Sequence, residues 1–177
     1  MAEGLYKLPK GWRWVRLGEV VVECIGGTWG TGDDPDGVGV LRPNNIGENG
    51  EIVWKDIRWR NVPISQLQKR RLQDGDIILT KSNSLEQVGR AALFRHPNDG
   101  RTYVPSNFLQ LLRPDPSAVW PEYLHYMLRT RQYVAFAQRM AIGSSAGLNH
   151  LCQGAGWGEP SQPSACRPFC TVVERGR

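Results

Sequence analysis

Between residues 26 and 121, nearly every apolar stretch is cut off within a few residues by Gly, Pro, Asn or Asp. Such punctuation excludes long helices from this region and leaves short strands joined by turns as the means of burying apolar side chains. Strand patterns occupy residues 38–43, 52–54, 77–80, 88–94, 102–104 and 108–112. The turns Gly47-Glu48-Asn49-Gly50 and Gln73-Asp74-Gly75 precede the second and third of these. Upstream, residues 12–17 alternate apolar and basic side chains at period two, and residues 17–23 suit a short helix or turn. Residues 63–72 suit a short helix that stops before Asp74-Gly75. The period changes only from Pro121 to about Ala141. There Leu124, Met127, Leu128, Val134, Ala137 and Ala141 recur mostly three or four residues apart. Pro121 suits the start of one helix or two short ones, and Gly143 suits the stop. The expected fold class is α+β: a loop-rich, many-stranded body followed by a C-terminal helical segment.

A chain of 177 residues accommodates one domain, or one domain with an appendage. The body is expected to span residues 1–151. Residues 152–177, with Gly-Ala-Gly-Trp-Gly-Glu-Pro-Ser at their centre, carry no convincing period and read as a divergent, flexible tail. A final Cys-Thr-Val-Val could be a strand, but no hairpin partner lies nearby in sequence. No apolar run suits a membrane span and no secretory core opens the chain, so the expected location is the cytoplasm, with no membrane partner. The formal charge of +5 permits a nucleic-acid partner without requiring one.

Catalytic patterns are absent. The sequence holds no G-x-G-x-x-G, Walker-type loop, H-E-x-x-H or G-x-S-x-G. Its three His, at 96, 125 and 150, are scattered. Three of its four Cys fall in the tail; Cys152, Cys166 and Cys170 with His150 form an irregular zinc pattern at best, and an uninformative tail is the stronger reading. Cys24 reads as a small core residue before a nucleophile, and Asp74 with Asp76 as a surface turn before a carboxylate pair. Gly26-Gly27 could approach a phosphate closely, but no strand-to-helix transition supports a phosphate loop. No catalytic, cofactor or metal site is expected in this chain.

Polar and basic segments are the better candidates. Thr28, Trp29 and Thr31 occupy a Gly-rich polar loop at 26–37, which either offers an exposed aromatic and hydroxyls to a groove or closes over the body through Trp29. Lys55, Arg58 and Arg60 flank Trp54 and Trp59, and suit phosphate pairing, guanine reading or simple surface balance. Lys69-Arg70-Arg71 reads chiefly as a solvated helix end. Lys81, Ser82 and Asn83 follow a strand end, a rigid place from which to meet a phosphate or an adenine edge, although Ser and Asn also make local turn bonds. Ser144 and Ser145 lie in a compact polar loop after the helical segment, suited to phosphate contact or to a plain turn.

The order of segments resembles a target recognition domain of the specificity subunit of type I restriction–modification systems. The resemblance is carried by Leu8-Pro9-Lys10-Gly11-Trp12 with Val15-Arg16-Leu17-Gly18-Glu19, by Leu41-Arg42-Pro43-Asn44-Asn45-Ile46 with Gly50, and by Gly75-Asp76-Ile77-Ile78-Leu79-Thr80-Lys81. It continues through Val88-Gly89-Arg90-Ala91-Ala92, Pro105-Ser106-Asn107 with Leu111-Leu112-Arg113-Pro114, Pro121-Glu122-Tyr123-Leu124, and Ile142-Gly143-Ser144-Ser145. Each piece is weak alone; together, in family order over residues 8–149, they are specific.

The resemblance implies sequence-specific binding of double-stranded DNA without catalysis. In the family, each of two such domains reads half of a bipartite target. Long helices between them carry the modification (methyltransferase) subunits, and a restriction subunit joins the assembly. S-adenosylmethionine, ATP and Mg belong to those partner subunits. The segments 42–46 and 75–81 would mainly build the domain, and the loops at 26–37, 55–61 and 81–87 would meet DNA. After Leu148-Asn149 the chain departs from the family pattern, which continues into an apolar strand and a long helix. A single domain lacking the spacer helix, through truncation or a shifted frame, is therefore expected; the competing reading is a remnant that neither binds DNA nor recruits partners alone.

Overall fold

The computed structural model describes residues 12–15, 17–81, 84, 86–142 and 170–173. Its elements run β1 (Trp12–Val15), a 3-10 turn (Leu17–Glu19), β2 (Val21–Gly26), β3 (Gly32–Leu41), a second 3-10 turn (Pro43–Asn45) and β4 (Arg58–Asn61). They continue as α1 (Ile64–Arg70), β5 (Ile77–Thr80), β6 (Ala91–Leu93), β7 (Tyr103–Pro105), β8 (Leu109–Pro114), α2 (Pro121–Leu128), α3 (Arg131–Ile142) and β9 (Cys170–Val173). This is an α+β fold, as the strand-rich pattern ahead of a helical segment predicts.

Two sheets form its centre. One has the order β2-β8-β5-β6 and is antiparallel throughout; the other has the order β4-β3-β7, with β3 parallel to β7. Side-chain alternation along the strands sorts the core into layers. Ile77, Leu79, Ala91 and Leu112 join Leu124, Leu128, Tyr133 and Ala137, so α2 and α3 cover one face of the four-stranded sheet. Ile78, Ala92, Leu109 and Leu111 face the other way and meet Leu41 and Tyr103 of the three-stranded sheet. Beyond that sheet, Val40, Val62 and Val104 pack with Trp29 and with Leu67 of α1. β5 is buried along its whole length, because both of its faces are covered. Its unbroken Ile-Ile-Leu run is the sequence mark of that position.

Replacing Ile78 by Val removes one methylene between the two sheets, where Ile78 is fully buried. The expected loss is about 0.5–1.5 kcal/mol in a denaturant melt. An unchanged midpoint would place Ile78 outside the core.

Several expectations need correction. The predicted loop at 26–37 is a loop only as far as Thr31; Gly32 and Asp33 already pair with Asn61 and Arg60, and the register then shifts across Asp34–Gly37 before pairing resumes at Val38. Backbone pairing at this sheet edge needs no apolar alternation, so a polar sequence concealed a strand. Residues 58–61, expected as part of a variable loop, form the opposite strand β4. The strand expected at 52–54 reduces to a single bridge between Ile46 and Ile52. Residues 21–26 are a strand following the 3-10 turn, and the helical segment is two helices broken at Arg129–Thr130, where Thr130 Oγ1 accepts from Tyr133 N at 3.4 Å. The Cys170–Val173 strand does have a partner: β1, to which it pairs antiparallel from Trp12↔Val173 to Val15↔Cys170.

Candidate nucleic-acid interface

The β2–β3 connection is fixed by its own hydrogen bonds along the segment from β4 to α1. At one end, Arg70 Nε donates to Gly26 O at 2.8 Å. Next, the Thr28 hydroxyl donates to Gln66 Oε1 and the Thr28 N–H to Pro105 O. Arg60 Nε donates to Trp29 O at 3.1 Å, and its guanidinium lies 5.0 Å from the Trp29 ring centroid. At the far end, Thr31 N donates to Asn61 O at 2.8 Å. Thr28, Trp29, Thr31 and Arg60, chosen from sequence as contact residues, are thus brought together on one seam. Trp29 is half-buried and packs against the cluster of Val40, Val62 and Val104. Thr28 is buried, and Arg60 is also held by Asp33 at 2.7 Å.

Lys55 and Arg58 stand apart from this seam. Both are exposed, and no carboxylate is paired with either among the described residues. The neighbouring aromatics are occupied within the fold. Trp59 lies 5.8 Å from Tyr103 and carries the Arg101 guanidinium 4.1 Å from its centroid, while Trp54 meets Tyr103 edge-on at 5.0 Å. Tyr103 donates to Asp99, which holds that carboxyl below its usual range; burial first, then this bond, pushes the phenol up. Ser82, Asn83, Ser144 and Ser145 lie outside the described residues, as do Cys152, Cys166 and His150 of the zinc pattern.

Lys81 leaves the end of β5 beside the end of β2. Its N–H donates to Phe108 O at 3.1 Å, and a methyl group placed on Gly26 would come within 3.0 Å of its Nζ. Arg70 and Lys81 therefore both reach Gly26, and the charge of Arg70 is felt at Lys81. Burial, and then the charge of Arg70, hold the Lys81 ammonium below the usual lysine range. The carboxylates flanking β2 and β5 are committed elsewhere. Glu23 and Asp76 both bind Arg113, whose own pKa is raised chiefly by the Asp76 bond. Sequence reasoning passed over Arg70, assigning its run to a solvated helix end. The signal was present in the basic last turn of α1, but its significance depends on the tertiary approach of Gly26.

This arrangement can hold an anion and has no catalytic constellation. Among the described residues there is no group of three or more His, Cys, Asp or Glu able to hold a metal. Cys24 is disulfide-bonded, and its sulfur accepts from Gln110 Nε2 at 3.3 Å. No described helix is long and apolar enough to cross a membrane.

No protein-family model matches the sequence, and no curated protein matches it significantly. Solved structures do match. The HsdS subunit from Thermoanaerobacter tengcongensis superposes with a TM-score of 0.55 at 25% identity, over 82% of this chain and 35% of that one. The fold is that of a type I specificity-subunit domain. A second similar chain, from work on complex assembly and conformational transition of the type I R-M system, gives a TM-score of 0.56 at 20% identity, over 94% of this chain and 39% of that chain. This chain spans little more than a third of the length of either of these structures.

Proposed function

We propose that this chain is a non-catalytic target recognition domain that binds a defined sequence of double-stranded DNA. The observation that carries this reading is the likeness to HsdS across four fifths of the chain. The exposed Lys55 and Arg58, unpaired with any carboxylate among the described residues, and the converging Arg70 and Lys81 add the electrostatic footprint that binding a polyanion needs. In this reading the domain directs adenine methylation or cleavage performed by modification and restriction subunits, recruited when the connecting helices are supplied. S-adenosylmethionine, ATP and Mg would be bound by those subunits, and the protein would work in the cytoplasm.

Selection from a random duplex library at moderate salt tests the reading directly. The full chain should enrich one short sequence family, and log Kd should rise linearly with log salt concentration. Enrichment of no sequence by protein that unfolds cooperatively would reject specific recognition and support the competing view of a fold that recognises nothing alone.

A further inference from the structure

We propose that Arg70 and Lys81, meeting over Gly26, form a phosphate clamp that fixes the position of the domain on the DNA backbone and does not read bases. The proposal rests on the DNA-binding reading above and names which side chains supply its sequence-independent part.

Three observations on the geometry lead to it. First, Arg70 is anchored, not mobile: its Nε is spent on Gly26 O at 2.8 Å, which leaves the terminal nitrogens of the guanidinium as donors for a ligand. Second, Lys81 emerges from the last residue pair of a fully buried strand, Thr80 against Leu109, so its backbone has little freedom. Third, Gly26 has no side chain to separate the two cations, and a methyl group there would meet Lys81 Nζ. Both side chains are partly buried. Like charges held together at reduced exposure repel each other and lose hydration, and a carboxylate normally offsets this. None does here. The contrast with Arg113 is direct, because that cation is as enclosed and carries both Glu23 and Asp76. An anion bridging Arg70 and Lys81 would complete the arrangement, and a DNA phosphate fits it. It offers several acceptor oxygens to the Arg fork and a point charge to the ammonium. Backbone contacts set register and orientation while base edges carry the sequence. Anion binding would also raise the depressed Lys81 pKa, since the ammonium would gain a partner; affinity should then fall as pH rises through that pKa.

The test uses the full chain, the duplex recovered by selection, and two mismatched duplexes. Arg70→Gln and Lys81→Gln should each weaken binding about tenfold to all three duplexes alike, leaving their rank unchanged. Each should reduce the slope of log Kd against log salt by about 1. The charge-conserving Arg70→Lys and Lys81→Arg should restore most of the slope, and Arg95→Gln, whose partner is Glu122, should leave it unchanged. Unaltered slopes, or weakening confined to the preferred duplex, would overturn the clamp. A second readout does not need DNA recognition. The chain has five lysines, so the 13Cε resonance of Lys81 can be followed in a titration with inorganic phosphate. A saturable upward shift of its pKa, absent in Arg70→Gln, supports the anion site even if no duplex is bound. No response rejects the site whatever the fate of the DNA-binding reading.

Discussion

Asp76→Ala should lower the stability of this domain by about 3–5 kcal/mol, the usual cost of removing one partner from a buried ion pair. Asp76 is 1% exposed and satisfies three donors: Arg113 Nε at 2.8 Å, Arg113 Nη2 at 2.9 Å and the Gln73 N–H at 2.8 Å. Truncation leaves the guanidinium with the more exposed Glu23 as its one carboxylate among the described residues, and strips the turn before β5 of its acceptor. Asp76→Asn keeps an acceptor oxygen but loses the charge, and should fall between the wild type and Asp76→Ala. Arg113→Leu introduced into Asp76→Ala should recover part of the loss, because the stranded charge is then gone. Denaturant melts of the four proteins measure this directly; a loss below about 1 kcal/mol for Asp76→Ala would show that the pair contributes little. The consequence extends to the interface. Arg113 Nη2 also donates to Arg71 O at 3.0 Å, so the same guanidinium ties down the end of α1 that carries Arg70.

Asp76 also marks how far the sequence could be read. As half of Asp74–Asp76 it looked like a turn carboxylate, and the turn is there: Gly75 sits at φ +92 with Asp76 N bonded to Gln73 O. Its burial and its bond to Arg113 were not visible, because the partner lies 37 positions away. The pattern repeats elsewhere. The continuous apolar run Ile77-Ile78-Leu79 announced a strand covered on both faces, and the apolar-rich stretch 109–112 announced its neighbour. β4 was harder, since Arg-Trp-Arg has the period of a strand but its charge suggested a loop. It pairs because Trp59 lies beside Gly39 and Tyr103 while Arg60 turns to Trp29 on the other face. β9 was paired with β1 from the opposite end of the chain, a contact no local turn could announce. The candidate site divides along the same line. Basic and hydroxyl residue types were legible, but which of them are consumed by the fold was not. Thr28 and Arg60 bind their own chain, whereas Lys81 gains its significance from Arg70.

Gly27→Ala should be the most damaging single methyl addition at the interface. A Cβ at Gly27 would lie 2.2 Å from both Pro105 O and Ser106 O and 2.6 Å from Pro105 C. All three are backbone atoms, so no side-chain rotation relieves the clash. The loop must lift away from the end of β7 and the residue that follows it. That movement would break Gly27 N to Leu109 O at 3.1 Å and Thr28 N to Pro105 O at 2.8 Å. Two lost hydrogen bonds with the strain of overpacking amount to about 2–4 kcal/mol. Gly32→Ala is the control, as a Cβ there meets nothing within 4 Å and should change stability by less than about 0.5 kcal/mol. Because Gly26 is the next residue, lifting the loop also withdraws the carbonyl that orients Arg70 and opens the gap to Lys81. DNA affinity measured under conditions where Gly27→Ala is still folded should therefore fall, with a salt slope reduced toward that of the Arg70→Gln, Lys81→Gln double variant. Amide exchange at Thr28 should accelerate in parallel, reporting the broken bond to Pro105. Stability and exchange matching Gly32→Ala would show that the β2–β3 loop is not seated as described, and the support for the clamp would fail with it.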